Sequence, residues 1–288
     1  MKIAAFSVEA DRHIGIVQND GVIISLSALR ETEFPACIKT FIERSEELRP
    51  LAEQLIGQHE NEQARFTLSD VKILAPIPNP EKIICVGLNY MDHCKETGME
   101  PPASPVIFSK YANAISGHNE AVKIPVNSNE VDFEAELAVV IGKEAKCVTE
   151  EEAMDFVFGY TILNDISARD QQFSDGQWAR GKTADTFAPT GPFVVTHDEV
   201  GDPHNLDISL KLNGSLMQDS NTTQLIFTVP KIISFLSQSM TLKPGDIIAT
   251  GTPPGVGMGR NPKIWLKKGD RMDVTIEKIG TLSNYVED

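Results

Sequence analysis

The chain has 288 residues, enough for one large domain plus a small one, and 26 Lys plus Arg against 41 Asp plus Glu leave a formal charge of −15 at pH 7. Such a field repels phosphate backbones and anionic bilayers, and no apolar run reaches the ~20 residues that span a membrane, so neither nucleic acid nor membrane is an expected partner. Four scattered cysteines, Cys37, Cys85, Cys94 and Cys147, form no CxxC pair, and the start MKIAAFSVEAD has acid where a signal peptide stays apolar; the reading is a reduced, soluble, cytoplasmic protein.

KIAAFSV and HIGIVQ alternate as strands, and Asn19-Asp20-Gly21 offers turn chemistry before VIISL. Between Ala36 and Gln58, Ile38, Phe41, Ile42, Leu48, Leu51 and Leu55 recur at helical spacing. The prolines of LAPIPNPEKI then disfavour helix, which puts a boundary between a small α+β domain, 1–75, and a second domain, 76–288. From Ile83 onward KIICVGL, PVIFSK, AELAVVIG, GYTILND, FVVT, LDISLKLNG, DIIATG and RMDVTIEKIG predict strands. Two helical patches interrupt them, EEEAMDFVFGY and TVPKIISFLSQSM, the latter with Pro230 early. The fold class expected is α+β with a mainly β larger domain.

In NEVDFEAELAVVIG, Asp132, Glu134 and Glu136 alternate with apolar residues, so a continuous strand projects all three acids from one face. Two carboxylates about 6 Å apart repel by only ~0.7 kcal/mol in water, but by several times that in a partly buried site. The strand continues as LAVVIG, into an interior, and a cation would offset the repulsion. An acidic solvent face on an edge strand is the alternative. A third acid, Asp165, ends the apolar run GYTILND, and three carboxylates without nearby Cys or His suit Mg²⁺, Mn²⁺ or Ca²⁺ rather than Zn²⁺.

The ordered set VGLNYMDHCKE, FSK, VDFEAELAVVIG, NDISARDQQ, GKTADTFAPTGP, LNG, PGDIIATGTPPGVG and LKKGD, over most of residues 80 to 286, resembles the fumarylacetoacetate hydrolase superfamily, specifically its shorter acylpyruvase-like members. The resemblance implies a rolled, layered β catalytic domain, usually in a homodimer. It also implies one divalent ion, Mg²⁺ or Mn²⁺ (Ca²⁺ in a crystal), on Glu134, Glu136 and Asp165, with Asp132 beside the ligands rather than among them. The N-terminal segment looks like the small extra domain of many bacterial members.

His93 and Glu96 lie three apart on a short helix that Asn89 would cap and Gly98 would end, with Gly87 and Gly98 as candidate hinges. On spacing they are a solvated pair. The resemblance makes them a dyad on a flap, His93 the general base and Glu96 its partner. It likewise implies that Lys182 stabilises negative charge and that Arg169 and Gln172 contact substrate, although Arg169 could instead pair with Asp170 or another structural acid. Lys110 is a further cation near the metal. Ala184, where many relatives carry a bulkier residue, would alter the distal pocket. The loop TGTPPGVGMG fails the GxGxxG pattern and reads as a tight loop whose amides and Thr252 hydroxyl meet ligand oxygens, or else as a plain chain reversal.

These parts suit a small anionic 2-oxo acid chelated through carboxylate and carbonyl. The expected reaction is hydrolysis of a carbon–carbon bond in an acylpyruvate-like β-diketo acid. Alternatives on the same site are oxaloacetate decarboxylation and keto–enol or hydroxy-dienoate isomerisation; a non-catalytic metabolite-binding protein comes last.

Overall fold

The computed structural model describes residues 1–29, 33–58, 64–98 and 100–288. It begins with an antiparallel meander of β1 (Lys2–Val8), β2 (Asp11–Val17) and β3 (Val22–Ser25). Period two is visible at once: Ile3 and Ala5 face the main core, Ala4 and Phe6 a smaller cluster. After α1 (Leu26–Leu29), the helix expected over 36–58 is two, α2 (Ile38–Glu43) and α3 (Ser45–Gln58), because Arg44 leaves helical geometry at φ −111, ψ 23. Short strands β4 (Arg65–Thr67) and β5 (Lys72–Ile73) complete the N-terminal unit.

The second part runs through β6 (Ile83–Gly87), α4 (Met91–Thr97), β7 (Val106–Lys110), β8 (Ile115–Ser116), β9 (Ala121–Lys123), β10 (Val131–Asp132), β11 (Ala135–Ile141) and β12 (Val157–Asn164). It continues with β13 (Ser167–Ala168), α5 (Arg169–Gln172), α6 (Ala179–Lys182), β14 (Ala188–Thr196), α7 (His197–Val200), β15 (Asp207–Leu212) and β16 (Ser215–Asn221). It ends with α8 (Val229–Ser239), β17 (Ile247–Ala249), β18 (Arg271–Ile276) and β19 (Gly280–Glu287). The helix expected from EEEAMDFVFGY is a single 3-10 turn, Ala153–Phe156, followed by β12. Burial decides this: every residue of β12 is inside, between β11 and β14, where ladder hydrogen bonds satisfy the backbone.

A 12-stranded sheet has the order β4-β3-β2-β1-β14-β12-β11-β17-β6-β7, with β5 added on β1 and β8 on β14. A five-stranded sheet, β16-β15-β18-β19-β9, makes a second layer, and β10 pairs with β13 alone. The mixed, mainly β architecture of the α+β expectation is what the chain adopts. The N-terminal unit joins the large sheet through β1 on β14, Lys2 opposite Val195 and Ile3 opposite Val194. The proline-rich stretch where a boundary at 75/76 is expected runs buried at Ala75, Pro76 and Ile77. Among the described residues no helix is long and apolar enough to cross a membrane.

Candidate metal centre

The central ladder assembles the acids. Strands β11 and β12 are antiparallel with Ala135 opposite Asn164, so the start of one lies against the end of the other. Glu134 and Glu136 flank that start and Asp165 follows that end. The Asp165 amide donates to the Glu134 carbonyl at 2.9 Å, and the Asn164 side-chain oxygen accepts from the Glu134 amide at 3.0 Å. One carboxylate oxygen from each of Glu134, Glu136 and Asp165 lies within 4.8 Å of the others, all three side chains being buried. The continuous acidic strand does not form. It breaks between β10 and β11, and Asp132 turns to Arg169 (2.9 and 3.0 Å) and to the Gly257 and Met258 amides (2.7 and 3.1 Å).

Three buried cations surround the trio. Lys182 Nζ donates to Glu134 (2.7 Å) and Asp165 (2.8 Å), and Arg169 reaches the other oxygen of Glu134 at 2.6 Å. Arg169 therefore pairs with Asp132 and Glu134, not with Asp170, whose carboxylate accepts from Ser128 and Asn129. Lys110 Nζ is 2.7 Å from Asp165 Oδ1, but its three N–H groups go to the Ile166, Lys182 and Phe187 carbonyls. Asp165 Oδ1 is thus left beside a positive charge with no hydrogen-bond donor. With Asp132, four carboxylates face three cations, so one negative charge is left over when all are ionised.

Burial raises the Glu134 pKa, but Arg169 and Lys182 outweigh it and hold the carboxyl down at about 2. Burial likewise opposes charge on Lys182, and Asp165 and Glu134 more than offset that. Glu136 has one backbone donor, the Gly251 amide at 2.8 Å; burial, then Asp165 and Glu134, push its pKa well above the carboxylate range. A buried carboxylate oxygen without a hydrogen-bond donor, a carboxylate that resists ionising and an all-oxygen donor set fit a hard divalent cation. Glu134, Glu136 and Asp165 are the residues that would hold it.

Beside the trio lies a cavity of about 110 Å³. Of the sequence-nominated residues, His93, Glu134, Glu136, Arg169, Gln172, Lys182 and Thr252 line it; Glu96, Lys110 and Asp165 stand behind them. The remaining wall is apolar, with Phe108, Trp178 and Met258 prominent; Phe108 and Met258 fall within the FSK and TGTPPGVGMG motifs but were not singled out, and Trp178 lies outside every motif. His93 Nδ1 is 3.1 Å from Glu96, whose carboxylate accepts from the Gly255 amide at 3.0 Å. Gly98 ends α4 in the left-handed region, φ +68, as expected. Asn89 is no cap: its side chain exchanges hydrogen bonds with Phe227 and the Thr250 carbonyl, and Tyr90 occupies the cap position. Gly87 ends β6, where a Cβ would lie 2.6 Å from the Trp178 ring.

The glycine-rich loop spends its amides on protein carboxylates: Gly251 on Glu136, Gly255 on Glu96, Gly257 and Met258 on Asp132. The Thr252 hydroxyl donates to the Ala135 carbonyl (3.0 Å) and accepts from Gln218 (2.8 Å), a framework residue that sequence reading missed. Ala184 packs against the main core and does not line the cavity.

The family model for the fumarylacetoacetate (FAA) hydrolase C-terminal domain matches residues 82–287. The mitochondrial oxaloacetate tautomerase fahd2 of Xenopus laevis is 46% identical over 272 residues, 94% of this chain and 84% of that protein. The fumarylacetoacetate hydrolase of psychrophilic Exiguobacterium antarcticum superposes with a TM-score of 0.87 at 35% identity, covering 100% of this chain and 99% of that one. Maleylpyruvate hydrolase of Sphingobium sp. SYK-6, solved in complex with manganese(II) ion and pyruvate, gives 0.82 at 35% identity, over 99% and 98%. That complex and the buried trio agree on a divalent-metal site. The mitochondrial relative overturns the cytoplasmic expectation. Scattered thiols indicate only a reducing compartment and do not separate cytoplasm from other reducing spaces. Through its matched domain, its near full-length relatives and its metal-ready carboxylates, this chain belongs to the fumarylacetoacetate hydrolase family.

Proposed function

We propose that the chain is a metal-dependent keto–enol tautomerase of a small 2-oxo dicarboxylic acid, with oxaloacetate the first substrate to test. The observation that carries this reading is the cavity of about 110 Å³, small beside the 300 Å³ and more of drug-sized sites. It suits a four-carbon acid better than the longer diketo acids of the expected carbon–carbon hydrolysis. The relatives named as oxaloacetate tautomerases, at 44–46% identity, favour the same alternative.

A divalent ion on Glu134, Glu136 and Asp165 supplies a Lewis acid for the paired oxygens of a 2-oxo carboxylate. Everything else is the chain's own work. Glu96 fixes the His93 ring through Nδ1, and Nε2 is the atom that takes a proton from C3 and returns one to the C2 oxygen. No atom is gained or lost; a double bond moves. Lys182 adds positive charge where the enolate oxygen develops. Arg169, with Gln172 locked on its guanidinium at 2.9 Å, keeps Glu134 ionised and turned toward the site.

The test is to add enol oxaloacetate to purified protein with Mg²⁺ or Mn²⁺ and follow loss of the enol absorbance. A metal-dependent acceleration of at least about 100-fold over buffer is expected. Carbon–carbon cleavage of acetylpyruvate without any acceleration of the oxaloacetate step would overturn the reading in favour of hydrolysis.

A further inference from the structure

The small cavity shares a wall with a larger space. A groove of about 530 Å³ runs between β7 and residues 176–179, and Phe108 and Trp178 border both it and the catalytic cavity. The Trp178 ring meets Phe108 edge-on at 5.5 Å and lies against β6 at Gly87, where a Cβ would come within 2.6 Å of its Cζ3. Only glycine leaves room for the ring there. Phe108 is itself held from the catalytic side, with Lys182 Nζ 5.0 Å from its centroid.

The wall stands on a segment with little else to hold it. Between α5 and α6, residues 173–177 are exposed, Gly176 has φ +80, and the hydrogen bonds of 174–177 are local, Ser174 to Gln171 and Gln177 to Asp175. The indole in its slot, with Phe173 on the catalytic cavity, ties this segment to the sheet. Swinging it out would join the two spaces and remove the limit on what lies beyond C3 of a bound 2-oxo acid.

We propose that Trp178, seated on Gly87, is the gate that sets the length of substrate this site accepts. The proposal rests on the 2-oxo acid reading and assigns the size limit to one side chain. Two variants open the gate by different routes: Trp178→Ala deletes the ring, and Gly87→Ala evicts it. Calorimetry on Mg²⁺-loaded protein compares oxalate, a chelating stub with nothing distal, with phenylpyruvate, whose ring needs the groove. The phenylpyruvate-to-oxalate affinity ratio should rise at least about tenfold in both variants while oxalate affinity stays within about threefold. An unchanged ratio in both, loss of both probes in both, or parent protein that already binds phenylpyruvate as tightly as oxalate overturns the gate. Binding needs no turnover, so a protein that fails to tautomerise oxaloacetate still decides this question.

Discussion

The three carboxylates differ in which protein groups hold them. Glu134 has Arg169 and Lys182, and Asp165 has Lys182 and the charge of Lys110, whereas Glu136 has the Gly251 amide and two acids for neighbours. Its folded pKa lies above its unfolded one, so in metal-free protein the protonated form contributes stability fully below about 4.5 and loses it as pH rises through the raised value. Glu136→Gln keeps the shape and removes that loss. Chelator-treated Glu136→Gln should melt as the parent does at acid pH and increasingly above it toward pH 8, while its Mg²⁺ or Mn²⁺ affinity falls at least about 100-fold by calorimetry. His93→Ala should do the reverse, keeping metal affinity and losing about 10²–10⁴ in turnover. Equal metal affinity in parent and Glu136→Gln would remove that residue from the centre. Alternating charge made the acids conspicuous in the sequence, but spacing alone read His93 and Glu96 as a solvated pair and kept Asp132 with the others; the dyad and the trio came from the family resemblance. The identity of each cation's partner was not legible: Arg169 reaches Asp132, 37 positions away, through a fold that no local pattern encodes.

At the scale of the element, α4 carries the dyad and is fastened from three sides. Asn89 is locked to Phe227 and Thr250 ahead of it, Glu96 accepts from Gly255 near its end, and Asp92 ties the middle. One Asp92 oxygen accepts from the His93 amide at 2.9 Å and the other from the Ser220 hydroxyl at 2.5 Å, so the backbone bearing the imidazole is bound to β16 of the smaller sheet. Asp92 acts through His93, not on substrate. Ser220→Ala, which deletes one hydroxyl and leaves Asp92 in place, should lower kcat several-fold with KM and metal affinity little changed, and Ser220→Thr should restore it. A rise in KM at constant kcat would make the contact a binding feature instead. β16 was missed from the sequence, as was β19: SLMQDSN and GTLSNYVE alternate with polar residues because one face of that sheet is wet, and they lack the apolar runs that revealed β11 and β12. The false helix at 150–160 and the split at Arg44 have one cause, since helical spacing alone cannot say which backbone a buried ladder or a packed neighbour will claim.

Over the whole molecule, a chain of charge −15 draws Lys110, Arg169 and Lys182 inside and leaves most of its acids out, which under the proposed reading is what would let it admit an anion. The N-terminal unit takes part in that enclosure. Its first strand covers β14, Phe41 stands edge-on to Phe158 of β12 at 6.4 Å, and Arg49 bridges to Asp198 at 3.0 Å. Removing residues 1–75 would strip β14 of its pairing with β1, leaving β12 on its other edge, and uncover Val194, Val195 and Phe158. At ~2 kcal/mol for each large apolar side chain returned to water, plus the lost backbone pairing, the cost approaches the 5–15 kcal/mol that hold a typical domain together. The exposed edge would also invite pairing between chains. The fragment 76–288 should therefore be aggregated or molten by near-ultraviolet circular dichroism and should bind Mn²⁺ far more weakly than the full chain. Recovery of a soluble fragment with the parent's metal affinity would show instead that the unit is a detachable domain and that the second part closes its own core.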